Sequence, residues 1–174
     1  MTYTEALNRI HSLQKFGSRP GLDRIKRLLE EMGNPQDSIK YIHVAGTNGK
    51  GSVCAVLSSV LRCAGYKTGL FISPFITDFC ERIQINSKPI PHDNLCELTE
   101  YVFTFVDKLN KEDIIITEFE FVTALCFEYF KREKCDLAVL ETGLGGLLDS
   151  TNTIKKNLCS VITSIGLDHT DILG

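Results

Sequence analysis

Apolar residues recur along this chain at two kinds of spacing. Near the start they fall three and four residues apart, which predicts amphipathic helices at about residues 4–13 and 22–32. Beyond residue 38, short apolar runs alternate with longer helical patterns. These predict helices at residues 52–64, 92–109 and 118–131, a short β-like piece at 82–86, and strands at 39–45, 68–72, 137–141 and 159–164.

The alternation of strands with helices of about ten or more residues is typical of a parallel sheet covered on both faces. The 174 residues show no internal repeat, no low-complexity linker and no shift in composition. We therefore predict one α/β unit with a mostly parallel sheet between two helical layers.

Composition narrows the class of protein further. The chain is 43% hydrophobic and 24% charged, with a net charge of −3, which suits a packed core. A basic stripe for nucleic acid is absent, as are an apolar run of roughly 20 residues and a secretion signal. We therefore expect no nucleic-acid partner, no membrane segment and a cytoplasmic location.

Cysteine and histidine positions bear on metal binding. The seven cysteines include no C-x-x-C pair, and the four histidines lie far apart at 11, 43, 92 and 169. This spacing argues against a structural zinc site and favours reduced thiols, several of them buried.

A glycine-rich loop follows the first strand directly and precedes a helix. Backbone N–H groups at such a helix start can cradle phosphates, and a lysine reaches the outer phosphates. We assign nucleotide binding to this loop and expect Lys50 at the β- and γ-phosphates, with Ser52 or Thr47 as sources of hydroxyls. The loop consists of Gly46, Thr47, Asn48, Gly49, Lys50, Gly51 and Ser52.

The loop departs from the general pattern G-x-x-x-x-G-K-[ST], since Val44 stands at its first glycine and Gly51 follows the lysine. In this form it resembles the nucleotide loop of the folylpolyglutamate synthase/dihydrofolate synthase family, a branch of the Mur-ligase-like enzymes. The resemblance extends along the chain, through Gly21–Ile25, Ser73-Pro74, Glu81–Asn86, Glu118–Glu120, Glu141–Gly146, Leu148-Asp149, Thr151-Asn152 and Asp168-His169.

The resemblance implies a P-loop type, three-layer ATPase domain like the central domain of Mur ligases. It also implies a reaction in which ATP, with Mg²⁺, phosphorylates a carboxylate of folate or dihydropteroate. The amine of L-glutamate then displaces phosphate from the acyl phosphate, leaving an amide. Full-length members of such a family are expected to be monomeric.

The resemblance assigns roles to single residues. Lys50, Glu141 and His169 are the expected catalytic residues, and Ser73, Glu141 and His169 the expected magnesium ligands. Phe119 and Asp149 match positions facing the pterin, while Arg82 and Glu120 are weaker substrate candidates that could equally be surface charges. Without the resemblance, Ser73 could simply start a turn, Phe119 could be a core aromatic, and His169 could cap the last turn.

Two residues depart from the family pattern. Phe75 stands where histidine usually follows Ser-Pro, and Leu147 replaces an arginine between Gly146 and Leu148. Losing that arginine removes a rigid multi-donor group suited to anions.

Chain length leaves the activity open. We expect residues 1–174 to be an incomplete, amino-terminal ATP-binding domain without the carboxy-terminal domain for glutamate. Such a fragment should not turn over alone and should self-associate through an uncovered sheet edge. Two alternatives remain: a non-catalytic nucleotide-binding fragment, and a Mur-type ligase for cell-wall precursors, against which Lys50-Gly51-Ser52 argues.

Overall fold

The computed structural model describes residues 1–17 and 20–167. It contains five α-helices, α1 (Tyr3–His11), α2 (Asp23–Glu31), α3 (Lys50–Cys63), α4 (His92–Asn110) and α5 (Glu118–Arg132). The strands are β1 (Lys40–Ala45), β2 (Thr68–Phe71), β3 (Ile83–Ile85), β4 (Lys88–Pro89), β5 (Leu137–Glu141) and β6 (Asn157–Ile162). None of the helices within the described ranges is long and apolar enough to cross a membrane.

The six strands form one sheet in the order β4-β3-β2-β5-β1-β6. Strands β2, β5, β1 and β6 run parallel, and β3 and β4 add an antiparallel hairpin at one edge. The fold is therefore the predicted α/β class with a mostly parallel sheet. The hairpin turns at Asn86 and Ser87, both with positive φ, as a type I′ turn requires.

The two faces of the sheet carry different layers. Alternate residues such as Tyr41, Phe71 and Leu140 pack against α1, α2, α4 and α5 in a large apolar core. The intervening residues, such as Val44 and Val139, pack against α3 in a much smaller one. This period of two follows from the pleat, which points successive side chains to opposite faces.

The predicted boundaries are mostly confirmed within one or two residues. Helix α3 begins at Lys50 rather than residue 52, because Gly49 takes the left-handed conformation at its N-cap. Strand β6 begins at Asn157, two residues earlier than expected. Its apolar residues Leu158 and Ile162 are exposed, which agrees with the expectation of an uncovered edge; self-association stays a prediction.

Candidate active site at the carboxyl edge of the sheet

Three loops leave neighbouring parallel strands at the same edge of the sheet. Residues 46–49 follow β1, residues 72–74 follow β2, and residues 142–149 follow β5, which lies between β1 and β2. Ligands of open α/β sheets bind at this carboxyl edge, where loops from several strands converge.

The loop after β1 has the shape of a phosphate cradle. Gly46 and Gly49 have φ values of 131° and 81°, which side chains rarely adopt, and a Cβ on Gly46 would lie 2.1 Å from Thr163 Oγ1. No side chain caps the start of α3, so the amides of its first turn are free of intrahelical partners. The helix dipole adds partial positive charge there.

Lys50 is the first residue of α3, and its Nζ donates to Thr47 O at 3.3 Å. The ammonium group therefore folds over the loop it is predicted to serve. Thr47 itself is anchored to the segment after β6: its N–H donates to Ser164 O at 2.7 Å, and its hydroxyl lies 3.0 Å from both Gly166 N and Gly166 O.

Glu141 ends β5 with its side chain buried and directed at the start of α3. Its Oε2 accepts from Ser73 N at 3.1 Å, and a Cβ added at Gly51 would lie 3.5 Å from the same oxygen. The carboxylate therefore lies in ordinary van der Waals range of a Cβ at Gly51. Burial raises the pKa of Glu141, opposed by the Ser73 N–H and the charge of Lys50.

Ser73 and Glu141 therefore lie together beside the phosphate loop, as the sequence predicted for magnesium ligands. Serine and carboxylate oxygens are the hard donors that Mg²⁺ prefers. The third predicted ligand, His169, lies outside the described residues.

The second glycine-rich loop is held by Asp149. Its Oδ2 accepts from Gly143 N at 2.9 Å and from Leu144 N at 2.8 Å, while its Oδ1 accepts from Thr151 N and the Thr151 hydroxyl. The carboxylate is 5% exposed. Asp149 also lines the adjacent cavity, as a predicted substrate residue should, but its hydrogen bonds shape the loop.

His43 extends this network into the sheet. Its Nε2 lies 2.7 Å from Thr151 Oγ1, which gives its own proton to Asp149 and so accepts one from the imidazole. Burial lowers the pKa of His43, opposed by the Asp149 charge, and this favours the neutral ring.

A cavity of about 680 Å³ lies between the second loop and the start of α5. Phe119 forms part of its wall, tilted against Phe71 at 5.9 Å between ring centroids and packed onto Gly143. Ser73 lines the same cavity, so it connects the carboxylate of Glu141 with the substrate side.

Arg82 and Glu120 are not surface charges. Arg82 is half-buried at the cavity wall, with its guanidinium 5.2 Å from the Phe75 ring and 5.5 Å from the Phe79 ring. Its Nε is buried without a hydrogen-bond partner among the described residues, and burial lowers the pKa of the group.

Glu120 is 2% exposed and closes the capping box of α5. It accepts from Thr117 N and the Thr117 hydroxyl, and it pairs with Arg24 at 3.0 Å. It lines the cavity, but its oxygens already stabilise the helix start. The spacing Thr117-x-x-Glu120 signals such a box in the sequence; the contacts of His43 with Thr151 and of Arg24 with Glu120 have no local signal.

A glycine loop entering a helix, a buried carboxylate beside it and a cavity one loop away are typical of an α/β protein of the P-loop class. Comparison with known proteins identifies the family within this class. No family model matches the chain. It is 44% identical, over 100% of its length, to the folylpolyglutamate synthase of Lacticaseibacillus casei, and 46% identical over 99% to the dihydrofolate synthase/folylpolyglutamate synthase of Bacillus subtilis.

A solved folylpolyglutamate synthase complex with AMPPCP and folate superposes on the whole chain with a TM-score of 0.92 at 43% identity. The chain belongs to the folylpolyglutamate synthase/dihydrofolate synthase family. It spans about two fifths of the length of these relatives, 41% of the Lacticaseibacillus protein and 43% of the chain in that complex.

Proposed function

We propose that this chain supplies the ATP site and the folate site of an ATP-dependent ligase that joins L-glutamate to folate or dihydropteroate. The observation that carries this proposal is a shared wall. The cavity beside α5 and a smaller cavity at the phosphate loop are both lined by residues 143–146, so one loop separates a nucleotide from a second ligand.

The chemistry of this arrangement suits phosphoryl transfer. A carboxylate oxygen of the substrate attacks the γ-phosphorus of ATP, ADP leaves, and an acyl phosphate forms. The glutamate amine then attacks the acyl carbon, loses a proton, and inorganic phosphate departs. In such reactions a protein mainly positions the reactants and neutralises charge.

Different residues of this chain would position the reactants and neutralise their charge. The first-turn amides of α3 and Lys50 bind and orient the phosphates, since both present positive charge to them. Glu141 and Ser73 would hold Mg²⁺, which supplies charge neutralisation at the phosphate oxygens when bound. Phe119 provides an aromatic surface for a pterin ring, and Arg82 contributes the half-buried positive charge of that cavity. His169 remains a proposed third ligand.

Nucleotide binding is tested by calorimetry with AMPPCP and Mg²⁺. We expect Lys50→Ala to weaken binding about 100-fold or more, because a buried phosphate then loses its charge partner. Lys40→Ala, at the opposite end of β1, is the matched control and should bind as the parent chain does. Equal affinity of Lys50→Ala and Lys40→Ala would refute the cradle.

Folate binding and the ligase reaction need separate tests. Folate and dihydropteroate should each protect the chain against thermal unfolding, and Phe119→Ala should abolish that protection. For the reaction, this chain replaces the segment it matches in the Lacticaseibacillus enzyme, and transfer of labelled glutamate is measured. We expect amide product that disappears with Lys50→Ala. Nucleotide binding without folate protection or product would instead support a non-catalytic nucleotide-binding role.

A further inference from the structure

We propose that Asp78, Cys80 and His92 form a binding site for a transition-metal ion of the Zn²⁺ class, separate from the phosphate site. One ligand atom of each residue lies within 4.8 Å of the others. Sequence spacing argued against zinc, because Cys80 and His92 belong to no recognisable ligand pair. The tertiary fold brings them together, and the inference does not depend on the proposed ligase function.

The site is built by three segments of the fold. Asp78 caps a short 3-10 turn at Phe79–Arg82, which also contains Cys80. The hairpin of β3 and β4 then reverses the chain, so that His92, the first residue of α4, returns beside this turn. Tyr3 of α1 completes the surroundings: its ring stacks on His92 at 3.7 Å between centroids, with 2° between the planes.

Hydrogen bonds orient the ligands. Asp78 Oδ1 accepts from Cys80 N at 2.8 Å, and both Asp78 oxygens lie 3.3 Å from the Tyr3 hydroxyl. The Cys80 sulfur lies 3.7 Å from the same hydroxyl. Such outer partners hold metal ligands in place, and their loss typically lowers metal affinity.

The ligand chemistry selects the metal. Thiolate sulfur, imidazole nitrogen and carboxylate oxygen together suit Zn²⁺ and related ions, whereas Mg²⁺ and Ca²⁺ prefer oxygen ligands alone. Three protein ligands leave a fourth tetrahedral position to water or to the Tyr3 oxygen. The Cys80 thiol would lose its proton to solvent water when its sulfur binds the metal. His92 is exposed, so one side of the site faces solvent, while Cys80 is buried.

A metal ion here would link the segment after β2 to α4. Glu81 accepts from the amides of Ile76, Thr77 and Asp78, so this segment is internally bonded. Ser73 and Arg82, at its two ends, line the cavity of about 680 Å³ beside α5. Metal binding would therefore hold the cavity wall against α4, and it should raise the midpoint of thermal unfolding, since a ligand of the folded state stabilises that state.

The test uses Co²⁺ as a spectroscopic probe and Zn²⁺ in competition. We expect one equivalent of Co²⁺ to give thiolate-to-cobalt charge-transfer absorption, and Zn²⁺ to displace it. Cys80→Ser should abolish this band, and His92→Gln should weaken binding at least 10-fold. The control Cys63→Ser removes an exposed thiol and should leave both unchanged.

Two results would overturn the site. One is a cobalt spectrum without thiolate absorption in the parent chain. The other is a band that survives both Cys80→Ser and His92→Gln. Because His92 is exposed, His92→Gln should fold normally, so its metal affinity remains informative even if Cys80→Ser unfolds.

Discussion

The two glycine-rich loops of this protein follow neighbouring parallel strands, yet they use their backbone amides in opposite ways. In the loop after β1, no side chain caps the amides at the start of α3. In the loop after β5, the carboxylate of Asp149 accepts from Gly143 N and Leu144 N. One glycine-rich loop therefore has uncapped amides at a helix start, and the other has its amides occupied by the protein's own carboxylate.

The difference in the hydrogen-bond partners of the amides gives the two loops different properties. Amides that face no protein anion can bind phosphate oxygens. Amides that donate to a buried carboxylate instead form a rigid wall. Breaking these hydrogen bonds would leave both the amides and the carboxylate unpaired. The second loop thus serves as a fixed partition between the two cavities.

The largest expected effect on stability comes from removing the carboxylate of Asp149. Asp149→Ala leaves the amides of Gly143, Leu144 and Thr151 and the Thr151 hydroxyl without their acceptor, and should lower the free energy of unfolding by about 2–4 kcal/mol. Urea denaturation measures the change. Asp107→Ala, which removes only an exposed ion pair with Arg9, should cost less than about 1 kcal/mol. Similar losses in both variants would mean that the second loop does not depend on its carboxylate.

The sequence predicted the first loop better than the second for a physical reason. A phosphate loop is local: its glycines, its lysine and the flanking strand and helix are contiguous, so Gly46–Ser52 could be interpreted directly. The hydrogen bonds of Asp149 to the second loop are also local, but the network behind that loop includes the contact of His43 with Thr151, which are 108 residues apart. No periodicity links such positions, and it is the tertiary fold that brings them together.

Burial of charge was the other point that the sequence could not establish. Arg82 and Glu120 could have been surface residues, because a charged side chain in a polar segment is usually solvated. Glu120 is buried because the capping box and Arg24 satisfy its oxygens. Element types, in contrast, followed from apolar spacing, and the boundaries moved by one or two residues, for example where Gly49 caps α3.

A smaller effect should separate two glycines within the second loop. A Cβ at Gly143 would lie 2.5 Å from the Phe119 ring, whereas nothing lies within 4 Å of one at Gly146. Gly143→Ala must displace the ring and should cost about 1–3 kcal/mol of stability and weaken folate protection. Gly146→Ala is the matched control, expected within about 0.5 kcal/mol of the parent chain. Equal stability of the two variants would show that Phe119 yields freely and does not fix the cavity wall.

The smallest effect is a pH dependence specific to the second loop. Because the folded state lowers the pKa of His43, the unfolded chain takes up a proton more readily, near its ordinary value of about 6.5. The neutral ring's contribution to the free energy of unfolding is present above that pH. It is lost as the pH falls below it, at no more than about 1.4 kcal/mol per pH unit.

His43→Gln should therefore flatten the decline in stability between about pH 7 and pH 5, measured by urea denaturation at each pH. Lys40→Ala, an exposed position in the same strand, is the control and should keep the parent slope. AMPPCP affinity should change less over this range than folate protection does, because His43 bonds to the network of the second loop and not to the phosphate cradle. If His43→Gln keeps the parent slope, another group causes the loss of stability in acid, and the His43 imidazole does not stabilise the second loop.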